Sequence, residues 1–384
     1  MTTIRASNNY QILALARESV NLSIHQAALA IGVSEENLKL AESGKRALTL
    51  AQLRAAAEAY QIPFGYFYLK EFPELNKPSP IPDLRLEPGN VGVEHHRLNL
   101  EIKKCRDRRE LFLELAKDLD EPIVRFKTIA GDDFPAMAMQ IRSRLGIKEE
   151  EVSRLNYEDA FGYWKEKIEN DGVLVYESQY LPDVTGVIGA AIFYEQQPII
   201  LVKRGGGANE RKLFTLLHEY AHLLFGKSAI NDITSQSVGY LNNSESKLEA
   251  ECNSLAAEIL VPSHKVNSAQ LERLTPKEMM EALALEFRVT YSTAAVCLKR
   301  LGLINGHDLA ELLDERNKAA AEKKHSKTGE IKIPREHIMR QDMGKPTFRL
   351  VLNAYASGLL DIFDASSILN LRVKKIDKLV GGLR

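Results

Sequence analysis

Leu217-His218-Glu219-Tyr220-Ala221-His222-Leu223 is the stretch on which the reading of this chain turns. Residues four apart stand on one helical face, so the imidazoles of His218 and His222 can reach a single ion at the distances zinc prefers. Glu219, beside the first histidine, reaches the fourth coordination position rather than the metal, where a carboxylate serves as a base toward water. With 9 His among 384 residues, the bare pattern also fits a helix carrying two unrelated histidines. The flanks weigh against that reading: Phe214, Leu217, Ala221, Leu224 and Phe225 form an apolar face that carries the histidines into a domain interior.

A catalytic zinc needs a third protein ligand. The segment from Lys247 to Glu258 reads as a helix ending before Pro262 and offers Glu249, Glu251 and Glu258. Glu249 has Asn253 four residues on, so a ligand and an amide able to orient an imidazole share a face. Glu251 is turned away from Glu249 by about 100° per residue. Glu249 is therefore the expected ligand and Glu251 the alternative. For the oxyanion the sequence offers only the candidates Tyr240 and His264, each of which also suits an ordinary loop role.

The run Asn209-Glu-Arg-Lys-Leu-Phe-Thr-Leu-Leu-His-Glu-Tyr-Ala-His222, followed by Glu249-Ala-Glu-Cys-Asn253-Ser-Leu-Ala-Ala-Glu-Ile-Leu-Val-Pro262, resembles the ImmA/IrrE metallopeptidases, which share an ER..FT..HE..H string and an E..AN.FA.ELL.P string. Cys252 and Leu255 stand where the second string usually has Ala and Phe; both are packing swaps that remove no ligand. A helix-turn-helix at the front, Ile81-Pro82-Asp83-Leu84-Arg85, and Lys345-Pro-Thr-Phe-Arg-Leu-Val extend the likeness over nearly the whole chain, the last of them more weakly. The resemblance implies a gluzincin-like fold, bound zinc, and cleavage of a protein substrate, a transcriptional repressor or an antitoxin. The residues themselves support a zinc hydrolase and name no substrate. Two other readings stay open: a DNA-binding regulator whose zinc domain senses or stabilises, and a toxin–antitoxin component acting by binding.

Outward from the motif, texture divides the chain. The length exceeds what one hydrophobic core usually serves, and 45% hydrophobic with 27% charged residues is ordinary for a globular protein. The expected fold is α+β and predominantly helical: a helix-turn-helix domain over 1–70, a proline-rich linker and amphipathic helix over 71–125, a metallopeptidase domain with a small sheet over 126–265, and a helical region over 266–384. Strands are expected at Val173–Tyr176, Val187–Tyr194 and Ile199–Val202, and the last, if at the sheet edge, could pair with an extended substrate. Prolines 73, 78, 80, 82 and 88 exclude regular helix between Phe72 and Gly92, and the charged stretch Asn317–Glu330 reads as a hinge. No apolar run approaches a membrane span, and MTTIRASNNY has no secretory pattern, so a cytoplasmic protein with no membrane partner is expected. Cys105, Cys252 and Cys297 form no CxxC and read as buried small hydrophobes.

Residues 23–44 are similar to the phage-repressor, or XRE, type of DNA-binding domain. Gly32 can end one helix in a left-handed conformation and Ser34 can cap the next. The second helix opens on Glu35, Glu36 and Asn37, and two acids facing phosphate make it a poor reader. Residues 1–70 hold seven basic and five acidic side chains, a net of +2, and the whole chain is at −1, so nonspecific attraction to DNA is modest. Asn37, Lys39, Lys45 and Arg46 are the candidate operator contacts, with solvated surface polarity as the competing role. Dimerisation or docking of a repressor would suit the domain equally, and a homodimer is left open.

Overall fold

In a computed structural model, the described residues are 9–19, 22–60, 62, 64–69, 93–156, 159–179, 181, 187–204, 209–232, 243–266, 268–314 and 334–381. The linker from Phe72 to Gly92, the stretch Asn317–Glu330 and Tyr240 lie outside them. Two compact units result, Met1–Lys104 with Tyr180–Thr185, and Cys105–Gln179 with Gly186–Arg384. Among the described residues no helix is long and apolar enough to cross a membrane.

The first unit is helical: α1 (Tyr10–Ser19), α2 (Ile24–Ile31), α3 (Glu35–Glu42), α4 (Leu50–Tyr60) and a 3-10 turn at Phe64–Tyr68. Its core is built from Leu13, Ala16, Ala27, Leu38, Leu53 and Phe67, all fully buried. Ser23 caps α2 through a reciprocal box with Gln26, which satisfies two of the amides a helix start leaves open. Gly32 ends α2 at φ +75°, where a side chain would be strained, and Ser34 accepts from the Asn37 amide to start α3. Arg17 Nε and Nη2 grip both oxygens of Glu42 at 2.7 and 3.0 Å, tying α1 to the end of α3 in a pair mostly shielded from water.

α5 (Val93–Asp118) has residues in both units. The second unit continues with α6 (Phe134–Arg144), α7 (Glu149–Arg154), α8 (Ala160–Asn170), β1 (Leu174–Ser178), β2 (Val187–Ile192), β3 (Ile199–Lys203), α9 (Asn209–Leu224), β4 (Ala229–Asp232) and α10 (Asn243–Leu260). After α10 come α11 (Ser268–Leu271), α12 (Pro276–Phe287), α13 (Tyr291–Arg300), α14 (306–314), α15 (Arg335–Met343), α16 (Lys345–Ala356), α17 (Ile362–Leu369) and α18 (Val373–Gly381). The described residues are thus mostly helical, with one small sheet in the second unit, as the sequence implies.

The sheet runs β1-β3-β2-β4, with β1 and β3 parallel and the other pairs antiparallel. The condition set for substrate pairing on Ile199–Val202 is not met: it is an interior strand, hydrogen-bonded on both sides, and has no edge to offer a substrate. Its run of buried residues is what two-sided pairing demands. β4, which the sequence reading missed, is the edge beside β2; four residues carry too little periodicity to mark it. One apolar cluster joins Val175, Ile200 and Val202 of the sheet to Leu217 of α9 and Leu255 and Ile259 of α10. Each such side chain contributes roughly 1.5–3 kcal/mol by leaving water, so the metal-motif helix is anchored by its apolar face.

Polar groups also lock this unit. Glu177, almost fully buried on β1, accepts from Lys165 of α8 at 2.8 Å and from Lys212 of α9 at 2.6 Å. Glu169 Oε1 accepts from the Lys345 amide at 3.2 Å, which seats the start of α16. At that junction Gly344 has φ +72°, and a Cβ there would lie 2.9 Å from the Val175 carbonyl oxygen, so only glycine fits. The three cysteines are free and buried, as expected of small apolar side chains.

Candidate metal centre

α9 and α10 pack side by side and bring their polar positions to one point. His218 Nε2 and His222 Nε2 stand 3.0 Å apart, and the two Glu249 oxygens lie 3.2 Å from them, one from each ring. His218 and His222 are 1% and 0% exposed as residues, whereas the Glu249 side chain keeps 29% of its surface, so the pocket is open on the carboxylate side. Tetrahedral zinc with bonds near 2.0–2.1 Å sets its ligand atoms on the order of 3.3 Å apart, close to these separations. Among the described residues this is the one group of three or more His, Cys, Asp or Glu side chains arranged to hold a metal ion.

The protonation pattern fits a cation. Asn253 Oδ1 lies 2.9 Å from His218 Nδ1, and an amide oxygen can only accept, so that nitrogen carries the proton and Nε2 presents a lone pair. The second imidazole also aims Nε2 inward. Two facing lone pairs repel unless a proton or a metal ion stands between them. Burial pushes the His222 pKa down; hydrogen bonding to Glu249 opposes this and the neighbouring His218 reinforces it, so the neutral ring that a metal needs prevails. Burial alone would raise the Glu249 carboxyl, but the two rings 3.2 Å from its oxygens outweigh this and hold the group at about 2, so it meets a cation as a carboxylate. The donor set is therefore two neutral imidazoles and one carboxylate, which suits zinc.

Of the three carboxylates on α10, only Glu249 joins the histidines. Glu251 faces elsewhere and pairs with Lys247 at 3.6 Å. Glu258, 1% exposed, accepts from both the amide and the hydroxyl of Ser263 at 2.7 Å and pairs with Arg300, which fastens the end of α10 to α13. Among the described residues His222 Nδ1 has no hydrogen-bond partner, so the second ring lacks the support that Asn253 gives the first. His264 is exposed on the 3-10 turn Ser263–Lys265 and is not among the grouped ligands.

Glu219 is fully buried and faces β2. A Cβ built on Gly189 would lie 2.6 Å from Glu219 Oε1 and 2.7 Å from Thr215 Cγ2, so the carboxylate rests directly on glycine backbone. The pairing of β2 with β4 shifts register between Val187 and Gly189, which bends the strand at this contact. The sequence reading missed Gly189; its one signal is a glycine inside an apolar strand, a mark of close backbone approach. It also missed what holds the other side of α9. There Tyr220 donates to Asp171 Oδ2 at 2.7 Å, Asp171 is gripped by Arg144 through two nitrogens, and Phe126 stacks edge-on against Tyr220.

The DNA-contact candidates lie on the first unit. Lys39, Lys45 and Arg46 are exposed, while Arg46 Nη1 donates to Asn37 Oδ1 at 2.5 Å, so each occupies the other. Glu35 pairs with His25 at 2.8 Å.

Residues 177–299 match a peptidase family model described as the IrrE N-terminal-like domain, and residues 13–67 match the helix-turn-helix family model. The first span takes in α9 and α10 with all four centre residues, and the second takes in α2 and α3. No curated protein and no solved structure was found to match the chain. Over residues 13–67 the chain is thus similar to the helix-turn-helix family, and over residues 177–299 to the IrrE N-terminal-like peptidase family.

Proposed function

We propose that this protein is a zinc-dependent endopeptidase that cuts a partner protein, a transcriptional repressor or an antitoxin, and so controls gene expression. The observation that carries this reading is a buried carboxylate, Glu219, next in sequence to His218 in a cluster of two imidazoles and Glu249. A site that only stored or sensed zinc has no need of a base, and structural zinc is usually closed by four Cys and His ligands.

His218, His222 and Glu249 would hold the ion, and Asn253 orients His218. A bound zinc supplies Lewis acidity, which acidifies water and polarises a peptide carbonyl. Glu219 takes the proton from the attacking water and delivers it to the leaving amine, a transfer its burial keeps from bulk solvent. An extended substrate strand is placed along β4, the edge beside β2, because β2 carries Gly189 against Glu219 and main-chain pairing there asks for no particular sequence. The far edge, β1, packs against α15 and is less accessible.

The test is Glu219→Gln. Purified variant and parent are compared for zinc content and for cleavage of the product of a neighbouring repressor gene. Retained zinc with lost cleavage is expected; undiminished cleavage removes the mechanism. A DNA-binding role accompanies this reading, supported by the capped, matched helix pair α2–α3, and a salt-dependent, sequence-selective shift of upstream DNA by the full chain checks it.

A further inference from the structure

The last two helices repeat the geometry of the first helix-turn-helix. α2 and α17 are both eight residues long. Ser23 caps the first by accepting from an amide of its opening turn, and Asp361 caps the second by accepting from the Phe363 and Asp364 amides at 2.7 Å. Each helix ends on a left-handed residue, Gly32 at φ +75° and Asn370 at φ +50°, asparagine being the side chain that best tolerates this region after glycine. The next amide then reaches back to the same carbonyl position, Val33 to Ala28 at 2.9 Å and Leu371 to Ser366 at 3.2 Å. α3 starts two residues after Val33, and α18 two residues after Leu371.

The buried positions coincide as well. Ala27, Ile31 and Leu38 in the first motif stand at the spacing of Ala365, Leu369 and Ile376 in the second, and all six are buried. α16 packs on both α17 and α18, as a third helix must to close so small a core. This spacing of a small residue, a left-handed corner and a buried position in the following helix is what lets two helices cross in a helix-turn-helix.

The outward faces differ in charge. Where α3 with its cap presents Ser34, Glu36 and Leu40, α18 with its cap presents Arg372, Lys374 and Lys378, with Arg372, Lys374 and Lys378 all exposed. The acids of the second motif are partly engaged within it: Asp361 holds the cap, and Asp377 accepts from Tyr355 at 2.9 Å. Residues 345–384 hold seven basic and three acidic side chains, a net of +4, in a chain whose total is −1.

We propose that α16–α18 is a second helix-turn-helix, and that its basic helix α18, rather than the acidic α3, makes the principal contact with duplex DNA. The chemistry recognised is the phosphate backbone, with the start of α18 directed at the major groove. This does not depend on the peptidase reading and stands whether or not the metal centre is catalytic.

The test uses the full chain and a fluorescent duplex of random sequence, with affinity followed by anisotropy across a salt series. Lys374→Ala with Lys378→Ala should weaken binding about tenfold or more and lower the slope of log affinity against log salt by about 2, since each lost phosphate contact removes roughly 0.9. Lys374→Arg with Lys378→Arg should bind as the parent does, and Lys39→Ala with Arg46→Ala should cost less than the α18 pair. Both lysines are exposed, so the fold should persist, and unchanged circular dichroism verifies it. Binding within about twofold of the parent for the alanine pair, absence of duplex binding by the full chain, or tighter binding of a single-stranded RNA than of the duplex would each overturn the proposal.

Discussion

The backbone of Gly189 and the carboxylate of Glu219 are in contact: a methyl group on that glycine would stand 2.6 Å from Oε1. The strand thus provides a wall for Glu219 that any larger residue would displace. Gly189→Ala should therefore lower cleavage by about 10²-fold, the scale of loss that a displacement near 1 Å produces, while zinc content by elemental analysis stays at parent level. Full activity with alanine would mean that the contact does not position Glu219.

Asn253 fixes which nitrogen of His218 carries the proton. Asn253→Ala removes that acceptor without touching a ligand. Zinc affinity, read by competition with a chelating dye, should fall by about 10–100-fold, and Asn253→Asp should restore much of it because a carboxylate accepts the same proton.

On the opposite face of α9, Tyr220 donates to Asp171 within the Arg144 pair. Burial first, and the Asp171 charge next, hold the phenol well above its usual pKa, so it remains a donor at all working pH values. Tyr220→Phe should cost about 1.5–3 kcal/mol in urea denaturation, the range for losing a hydrogen bond to a charged acceptor, with metal content unchanged.

Glu169 gives the second unit a pH dependence. Burial raises its carboxyl, Lys165 and the Lys345 amide pull it back, and it settles at about 7 against an ordinary 4.5. A raised acid binds its proton more tightly when folded, so between about pH 4.5 and 7 the folded state holds more protons than the unfolded one. Its contribution is fully present below 4.5 and is lost as pH rises through 7, by an amount on the order of 3 kcal/mol. Glu169→Gln keeps an acceptor for the Lys345 amide and cannot ionise. The variant should be more stable than the parent at pH 8 and equal near pH 4.5, as measured by denaturant midpoints; a parallel pair of curves would exclude Glu169 as the titrating group.

The metal-motif helix, its partner and the choice of Glu249 over Glu251 follow from helical periodicity, because residues four apart share a face however the rest of the chain folds. Asn253 is legible for the same reason. Capping signals are equally local, so Gly32 and Ser34 announce the first helix-turn-helix. Gly189 is harder to find, because a strand glycine states only that something comes close and not what. Arg144, Asp171 and Tyr220 come from three separated segments, and nothing in their spacing couples them. Whether Ile199–Val202 lies at the edge was not legible, because strand order depends on pairings between segments far apart in sequence.

Local order was set by sequence alone: which stretches are helical, where they are capped, and which polar side chains share a helical face, since these depend on contacts within a few residues. Tertiary structure decided which strand lies at the edge, that glycine backbone supports Glu219, and that α17 and α18 repeat the form of α2 and α3 with a basic second helix in place of an acidic one. Those outcomes rest on long-range packing, where each segment's partner is chosen by surfaces assembled only when the chain has folded.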